Sequence, residues 1–220
     1  MEGLLDSLTS AEKEATAGYA IMPAVVTNNL DVLAEGRVQV QIPSLPAYEP
    51  WCRVASVGGS SGRGFLWIPQ IDDEVLVAFN QNDERDAYVL GGLWNTRDRP
   101  PVTIPTDFLT KRVIKTGMTS ALGHEIEFDD ALQSIKITTS TSQKITIDPL
   151  KIEMTNLAGT VKITLDNTQQ AIAIEAVASI ELKAAQIKLT AANIDINGTV
   201  ATNVKSTGVC NITGTLVKIN

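Results

Sequence analysis

The sequence predicts an all-β protein, with a small closed barrel followed by a narrow stack of short strands. Residues 19–101 contain five or six short apolar segments that are separated by turn-forming residues, with no helix between them. Beyond Phe128 there is no aromatic residue, and pairs of apolar residues recur roughly every seven to ten positions. Short strands without helices are typical of small barrels, and a repeating unit is typical of a stacked structure.

The barrel prediction depends on alternation of apolar and polar residues. Segments 19–28, 36–43, 51–57, 65–69, 74–79 and 88–94 are the candidate strands, with polar residues 80–86 as a turn. We expect the core to contain the apolar members of the second and fifth segments, which are Val38, Val40, Val75, Val77 and Phe79. Residues 97–101, which end in two prolines, are expected to form a stiff exit linker.

Residues 1–18 form a separate N-terminal segment. Thr9 and Glu12 have the spacing of a helix capping box, so a short helix over residues 6–17 is expected. Two interpretations remain open, a frayed tail and a segment that docks on a neighbouring subunit. The segment is polar and does not resemble a signal peptide, which predicts synthesis in the cytoplasm.

Composition argues against several classes of function. The net charge is −7, and no cluster of Lys and Arg offers a surface for phosphate, so we expect no nucleic-acid partner. Cys52 and Cys210 are far apart, and His124 is the one histidine, so no metal site and no cofactor are expected. The acidic residues Glu125 and Glu127 alternate with apolar ones and are expected on a solvated strand face, together with Asp129 and Asp130.

The second half predicts a core that is shared among chains. Each repeat unit buries two apolar side chains on one face, which is too little to close a core within one chain. We therefore predict a homotrimer in which each chain supplies one strand to each face of a triangular prism and then turns the corner. The predicted trimer core contains Ile145, Ile147, Ile163, Ile172, Ile174, Ile180, Leu182, Ile187, Leu189, Ile194 and Ile196.

The predicted organisation has four parts: the segment 1–18, the barrel 19–101, a linker with neck strands over 102–134, and needle repeats over 135–220. An ordinary β-sandwich in the second half would be expected to contain aromatic residues, which are missing there. A β-helical enzyme such as a polysaccharide lyase is disfavoured for the same reason, and no catalytic pattern is found. We expect the chain not to be an enzyme.

Residues in the barrel resemble phage baseplate assembly protein V and the VgrG spike of type VI secretion. The similar segments are 19–28 (YAIMPAVVTN), 36–43 (GRVQVQIP), 51–55 (WCRVA), 64–69 (GFLWIP), 73–79 (DEVLVAF), 90–95 (LGGLWN) and the prolines at 100–101. The chain departs from the family at Asp72, where the family usually has glycine, at the Asn82-Asp83 turn and at Ala87. The later repeats are similar in kind only.

The resemblance implies an OB-fold barrel at the base of a trimeric, intertwined β-helix. It further implies the central spike of a contractile injection system, whether phage tail, extracellular injection particle or type VI-like machine. Such a spike is held by a baseplate hub protein at its N-terminal end and contacts a target membrane transiently as a rigid needle. The alternative is an OB-fold module that binds nucleic acid or glycan, with the needle as a stalk.

The C-terminal end predicts a further partner. Leu216, Val217, Lys218, Ile219 and Asn220 form a strand-like end without the His-x-His motif that some members of the family carry. A blunt end of this kind presents open strand edges. We therefore expect a separate tip protein of the PAAR-repeat type to contact these residues.

Overall fold

The computed structural model describes residues 21–81, 83–117 and 122–219. The helix predicted within residues 1–18 lies outside these residues. The chain divides into two compact units, one that ends at Val177 and one over Ala178–Asn220.

Five strands form a closed barrel in the first unit. Their bounds are β1 (Ile21–Asn28), β2 (Arg37–Gln41), β3 (Trp51–Val54), β4 (Glu74–Asn80) and β5 (Asp83–Gly92). The barrel closes in the order β1-β2-β3-β5-β4, because β1 pairs with both β2 and β4. The β3–β5 pair is parallel and the other pairs are antiparallel. A five-stranded closed barrel confirms the predicted OB-type fold.

The barrel core is aliphatic. Val38, Val40, Val75 and Val77 have no exposed surface, and Phe79 is 8% exposed. Each alternates along its strand with a partly exposed or exposed neighbour, because successive side chains of a strand point to opposite faces. The five predicted core residues are thus confirmed.

Two barrel segments differ from the sequence-based prediction. Residues 65–69 are not a strand, and the Asn29 side chain donates a hydrogen bond to the Pro69 carbonyl at 3.2 Å. The predicted polar turn at 80–86 is mostly strand, since β5 begins at Asp83. Polar side chains bond across this hairpin, with Asn80 Nδ2 donating to Asp86 Oδ2 at 2.8 Å. Polar composition therefore did not mark a loop here.

Asp72 occupies a turn that ordinarily favours glycine. Its φ is 73°, in the left-handed region that aspartate tolerates better than most residues. The Asp72 amide donates to the Val26 carbonyl at 2.9 Å, which holds the turn against β1. Asp72, which stands where the family usually has glycine, thus adopts a left-handed conformation that suits glycine.

A second sheet follows the barrel. A four-residue helix, α1 (Asp107–Thr110), precedes seven strands whose bounds are β6 (Lys111–Lys115), β7 (Glu125–Asp129), β8 (Ser134–Thr138), β9 (Lys144–Ile147), β10 (Lys151–Thr155), β11 (Val161–Asp166) and β12 (Ala171–Ala176). Each strand pairs antiparallel with the next, in sequence order. This sheet begins at Lys111, within the predicted linker and before the predicted needle at residue 135.

The expected winding of one strand per prism face is wrong for residues 135–176. These strands return on themselves within one chain, because their connections are tight reverse turns. The Asp148 carboxylate, for example, accepts the Leu150 and Lys151 amides at 2.8 and 2.9 Å. Aspartate and asparagine favour such turns because their short side chains bond to nearby backbone amides.

The second unit has no regular secondary structure among its described residues, 178–219. Every one of these residues is exposed, and no hydrogen bond joins two of their backbone groups. The segment thus lacks the backbone pairing that the sheet has. Because its residues are exposed, water can hydrogen-bond to these backbone groups in the single chain.

A carboxylate organises the loop between β1 and β2. Asp31 accepts the backbone amides of Leu33, Glu35 and Arg37 at 3.2, 2.9 and 3.2 Å, and the Arg37 guanidinium at 3.0 Å. The Asp31 side chain is 7% exposed. The hydrogen bond from the Arg37 guanidinium holds the pKa of this carboxyl well below its usual range.

The low pKa of Asp31 predicts a pH-dependent stability. A carboxyl whose pKa is lowered by folding stabilises the native state above its unfolded pKa of about 3.9, and that contribution declines as the pH falls toward the folded pKa. The Asp31→Asn variant should unfold at lower urea concentration at pH 7, and should lose less stability than wild type between pH 7 and pH 3. Equal pH dependence of the urea midpoints of the two proteins would contradict this assignment.

Candidate assembly surface

One face of the seven-stranded sheet carries two continuous rows of apolar side chains. The first row crosses all seven strands and contains Ile114, Ile126, Ile137, Ile145, Met154, Ile163 and Ile174. The second row contains Phe128, Ile135, Ile147, Ile152, Leu165 and Ile172, and begins with Arg112 on β6. We call these two rows the ladder face. Direct cross-strand pairing of β-branched residues suits a pleated surface.

The ladder face is uncovered in the single chain. Ile135, Ile147 and Leu165, in the second row, are 37%, 39% and 38% exposed. The side chains of the barrel core have almost no exposed surface by comparison. A contiguous apolar surface across seven strands is more than monomeric proteins usually expose, and such surfaces mark contacts with another molecule.

The opposite face of the sheet is polar and charge-paired. Lys115 Nζ lies 3.0 Å from Glu125, Lys136 Nζ lies 3.2 Å from Glu127, and Lys162 Nζ lies 3.3 Å from Glu175. Neighbouring strands thus place opposite charges side by side, which stabilises sheet pairing modestly. The sheet therefore has one face suited to water and one that is not.

The acidic residues of β7 are less solvated than the sequence predicts. Asp129 is 4% exposed, and its carboxylate accepts the amides of Ala131 and Leu132, both at 3.0 Å. Lys111 Nζ lies 3.0 Å from Asp107 and 3.7 Å from Glu127, and the Asp107 hydrogen bond raises the pKa of Lys111. Asp129 thus caps a turn, and Glu127 forms an ion pair with Lys111. The expectation of a freely solvated strand face is wrong for these two residues.

The structure divides the predicted trimer-core residues into two groups. The group within the sheet lies on the ladder face and contains Ile145, Ile147, Ile163, Ile172 and Ile174. The other group lies in the second unit, is at least half exposed, and contains Ile180, Leu182, Ile187, Leu189, Ile194 and Ile196. The pattern of apolar pairs is therefore continuous along the chain, whereas the backbone structure changes after Val177.

Sequence reasoning left several ladder-face residues out of the predicted core. Ile114, Ile126 and Phe128 lie in the predicted linker, and Leu165 lies outside the apolar pairs that define the repeat. The signal for Ile126 and Phe128 lies in the sequence, because residues 125–129 alternate between acidic and apolar types. Both apolar side chains share the face of Ile137.

The predicted tip-contact residues are exposed. Leu216, Val217 and Ile219 have 75%, 49% and 89% of their surface accessible, and Lys218 is also exposed. Asn220 lies outside the described residues. The described residues around these side chains are in no strand and make no hydrogen bond between backbone groups.

Two arginines on the outer face of the barrel interact with acidic and aromatic side chains of the barrel itself. Arg37, already paired with Asp31, lies with its guanidinium 5.9 Å from the centre of the Trp51 ring. Arg53 lies 3.0 Å from Asp86 and 4.5 Å from the centre of the Tyr88 ring. A groove for phosphate uses positive charge that is free to meet the ligand. The balanced charge of this face gives the nucleic-acid alternative no specific support.

The remaining reactive groups are few. Cys52 is buried in the barrel core, where burial raises the pKa of its thiol to about 12, whereas Cys210 is exposed in the second unit. Within residues 21–81, 83–117 and 122–219, no group of three or more His, Cys, Asp or Glu side chains is placed to hold a metal ion. None of the helices described in the structure is long and apolar enough to cross a membrane.

The barrel is similar in sequence to known injector domains. Residues 22–94 match the family described as the type VI secretion system/phage-baseplate injector OB domain. The chain is 33% identical over 81 residues to the actin cross-linking toxin VgrG1 of Vibrio cholerae, and 38% identical over 66 residues to the type VI secretion system spike protein VgrG5 of Pseudomonas aeruginosa.

These matches cover a limited part of each protein. They span 36% and 30% of this chain, and 7% and 8% of the two relatives. The chain thus covers a small fraction of the length of the curated relatives that it matches. The sheet and the second unit, which carry the ladder face and the apolar pairs, lie beyond the matched residues of the family.

Proposed function

We propose that this chain, whose residues 22–94 match the family described as the type VI secretion system/phage-baseplate injector OB domain, is the homotrimeric central spike of a contractile injection system. In this proposal a baseplate hub protein holds the N-terminal end. Three copies form a rigid needle that contacts a target membrane transiently. The chain is made in the cytoplasm and assembled into the baseplate of a phage tail, an extracellular injection particle or a secretion apparatus.

The ladder face is the observation that carries the proposal. An apolar side chain that is left a third to a half exposed gains about 0.5–1.5 kcal/mol when a partner covers it. The two rows of each chain contain thirteen apolar side chains, of which ten are more than a third exposed and three are partly buried. The ladder face is only two side chains wide, and Phe128 is its one aromatic residue. Three copies that turn this face toward a common axis would therefore form a narrow, closed core.

The sheet also supports a mechanical role. Its strands run in sequence order and are joined by continuous hydrogen-bonded ladders. With roughly 4.8 Å between neighbouring strands, seven strands extend about 30 Å along the direction of stacking. Bending such a stack breaks ladder hydrogen bonds, so three sheets around one axis would resist lateral force.

We propose that the chain itself is not an enzyme. The name of the Vibrio cholerae relative states an actin cross-linking activity for that protein, but the similarity covers only 7% of it. The matched residues of this chain lie over the barrel, whose interior is filled by aliphatic side chains. A filled barrel core leaves no internal cleft for a substrate.

At the C-terminal end we propose a PAAR-type tip protein as the partner of residues 216–220. Exposed apolar side chains on a backbone that is in no strand would bury surface and gain main-chain partners when a cap covers them. Lys218 lies between Val217 and Ile219, so its side chain would point away from theirs in a strand.

Replacing one ladder-face residue tests the shared core. Ile145→Asp places a carboxylate in the middle of the first row, where burial without a partner charge is costly. We expect this variant to be monomeric by light scattering, whereas wild type has a mass near three times 23.6 kDa. The matched control is Thr146→Asp, which places the same group on the polar face between Lys136 and Glu153 and should remain trimeric. A trimeric Ile145→Asp variant would exclude the ladder face as the shared core.

The tip proposal is tested by binding of a purified PAAR-repeat protein to the assembled chain. Ile219→Asp should weaken the binding by about tenfold or more, because it removes an apolar contact and adds a charge to the contact surface. Lys218→Ala is the control and should change the affinity much less. Equal affinity of wild type and Ile219→Asp in a titration would rule out residues 216–220 as the contact.

A further inference from the structure

We infer that residues 4–17 form an amphipathic helix that covers an apolar area on the outside of the same chain's barrel. Residues 1–20 lie outside the described residues, and the sequence leaves two interpretations open for them, a frayed tail and docking on a neighbouring subunit. Docking on the chain's own barrel replaces both. This arrangement goes beyond the proposed function and does not depend on it.

One side of the barrel wall is apolar on its outer surface. The outward residues of β1 and β4 are neighbours there, since the strand register places Ile21 beside Ala78 and Pro23 beside Leu76. On β5, Leu90 adjoins the residue that pairs with Leu76. We call this area the wall patch, and it contains Ile21, Pro23, Val25, Leu76, Ala78 and Leu90.

The described residues leave the wall patch open. Ile21 and Leu90 are 57% and 48% exposed, whereas the residues that alternate with them, such as Val89, point into the core and are buried. The other side of the barrel is different, because the outward residues of β2 and β3 include Arg37 and Arg53. An apolar area that is confined to one side of a small barrel indicates a contact with another element.

The cover of the wall patch must pack through its side chains. Each strand of the barrel already pairs with two neighbours, so the barrel has no free edge to which an extended segment could add. A helix satisfies most of its own backbone hydrogen bonds and needs only an apolar stripe to pack on a sheet. An amphipathic helix therefore fits the wall patch, whereas an added strand does not.

The N-terminal segment has the sequence pattern of such a helix. Leu4, Leu8, Ala11 and Ala15 follow one another at intervals of four, three and four residues, which places them on one side of a helix. The opposite side is mainly polar and includes Asp6, Ser10 and Lys13. When the apolar side packs on the barrel, this polar side faces outward, so the apolar wall is replaced by a surface suited to water.

The connection to β1 selects the chain's own barrel. Three residues, 18–20, separate the predicted helix end from Ile21, and Gly18 suits the left-handed conformation that ends many helices. Three residues span about 10 Å at most. The helix must therefore end close to Ile21, which is itself part of the wall patch. Because the segment is tethered beside this surface, docking within the chain is favoured over docking on a separate molecule.

Labelling of a cysteine in the wall patch tests whether the segment covers it. The full-length chain carries Leu90→Cys and Cys210→Ser, and Cys52 stays unlabelled because it is buried. We expect Leu8→Asp to raise the rate of maleimide labelling at position 90 by about tenfold or more, because burial of a carboxylate on the apolar side of the helix is costly. Ser10→Asp, on the opposite side, is the matched control and should leave the rate unchanged. Equal rates in the three backgrounds would overturn the inference, whether position 90 is open or is covered by another molecule.

A cross-link tests which barrel the segment covers. With Leu8→Cys, Leu90→Cys and Cys210→Ser in the full-length chain, a short bifunctional maleimide should join positions 8 and 90, and the product should keep the mass of one chain in denaturing electrophoresis. Trp51→Cys in place of Leu90→Cys is the control and should give no cross-link, because β3 pairs with neither β1 nor β4. A product of twice the chain mass would place the segment on another copy, and no product would place it away from the wall patch; both results would overturn the inference.

Neither readout requires the trimer. A wild type that is monomeric by light scattering would contradict the proposed function and leave docking of the segment on its own barrel intact. A trimeric wild type in which Leu8→Asp does not change the labelling of position 90 would overturn the docking and leave the proposed function intact.

Discussion

A sheet with one apolar face and one polar, charge-paired face must cover the apolar face. This constraint governs residues 111–176, because neighbouring strands are in register and their apolar side chains form two rows, one across all seven strands and one across β7 to β12. The charged face needs no cover, since its lysines and glutamates pair with one another. The ladder face has no such solution within one chain. In the proposed trimer, other copies of the chain cover this face.

The backbone adds a second constraint, which divides the chain after Val177. In the sheet, capped turns return each strand to its predecessor, so the main chain of the five inner strands is paired within one chain. In residues 178–219 the main chain is unpaired. The same pattern of apolar pairs therefore runs through two segments whose backbones differ. A thin aliphatic core suits the proposed needle, because an aromatic ring would widen it locally.

The sequence was sufficient for the barrel and for the apolar pairs. Alternation at Val38, Val40, Val75 and Val77 identified the core, since only one face of each strand can point inward. The sequence was insufficient to predict whether successive strands in the second half are antiparallel neighbours or wind forward around an axis. Alternation repeats every two residues in both arrangements, so Ile145 and Ile147 do not distinguish them. The turn residues, such as Asp148 and Asn156, determine which arrangement forms. Composition alone does not predict the polar strand 83–86 or the buried Asp129, because hydrogen bonds and ion pairs compensate the charge of these residues.

The central claim, that three ladder faces share one axis, is tested most directly by distances between identical positions. A spin label at Thr146→Cys, on the polar face, with the exposed Cys210 replaced by serine and Cys52 left buried, would report every copy in the assembly. In double electron–electron resonance, the account predicts one narrow distribution of distances between the labels, with the modulation depth of three coupled spins. A two-spin depth would place the ladder faces in a dimer, and the absence of dipolar coupling would mean that no second copy covers them; either result would contradict the account.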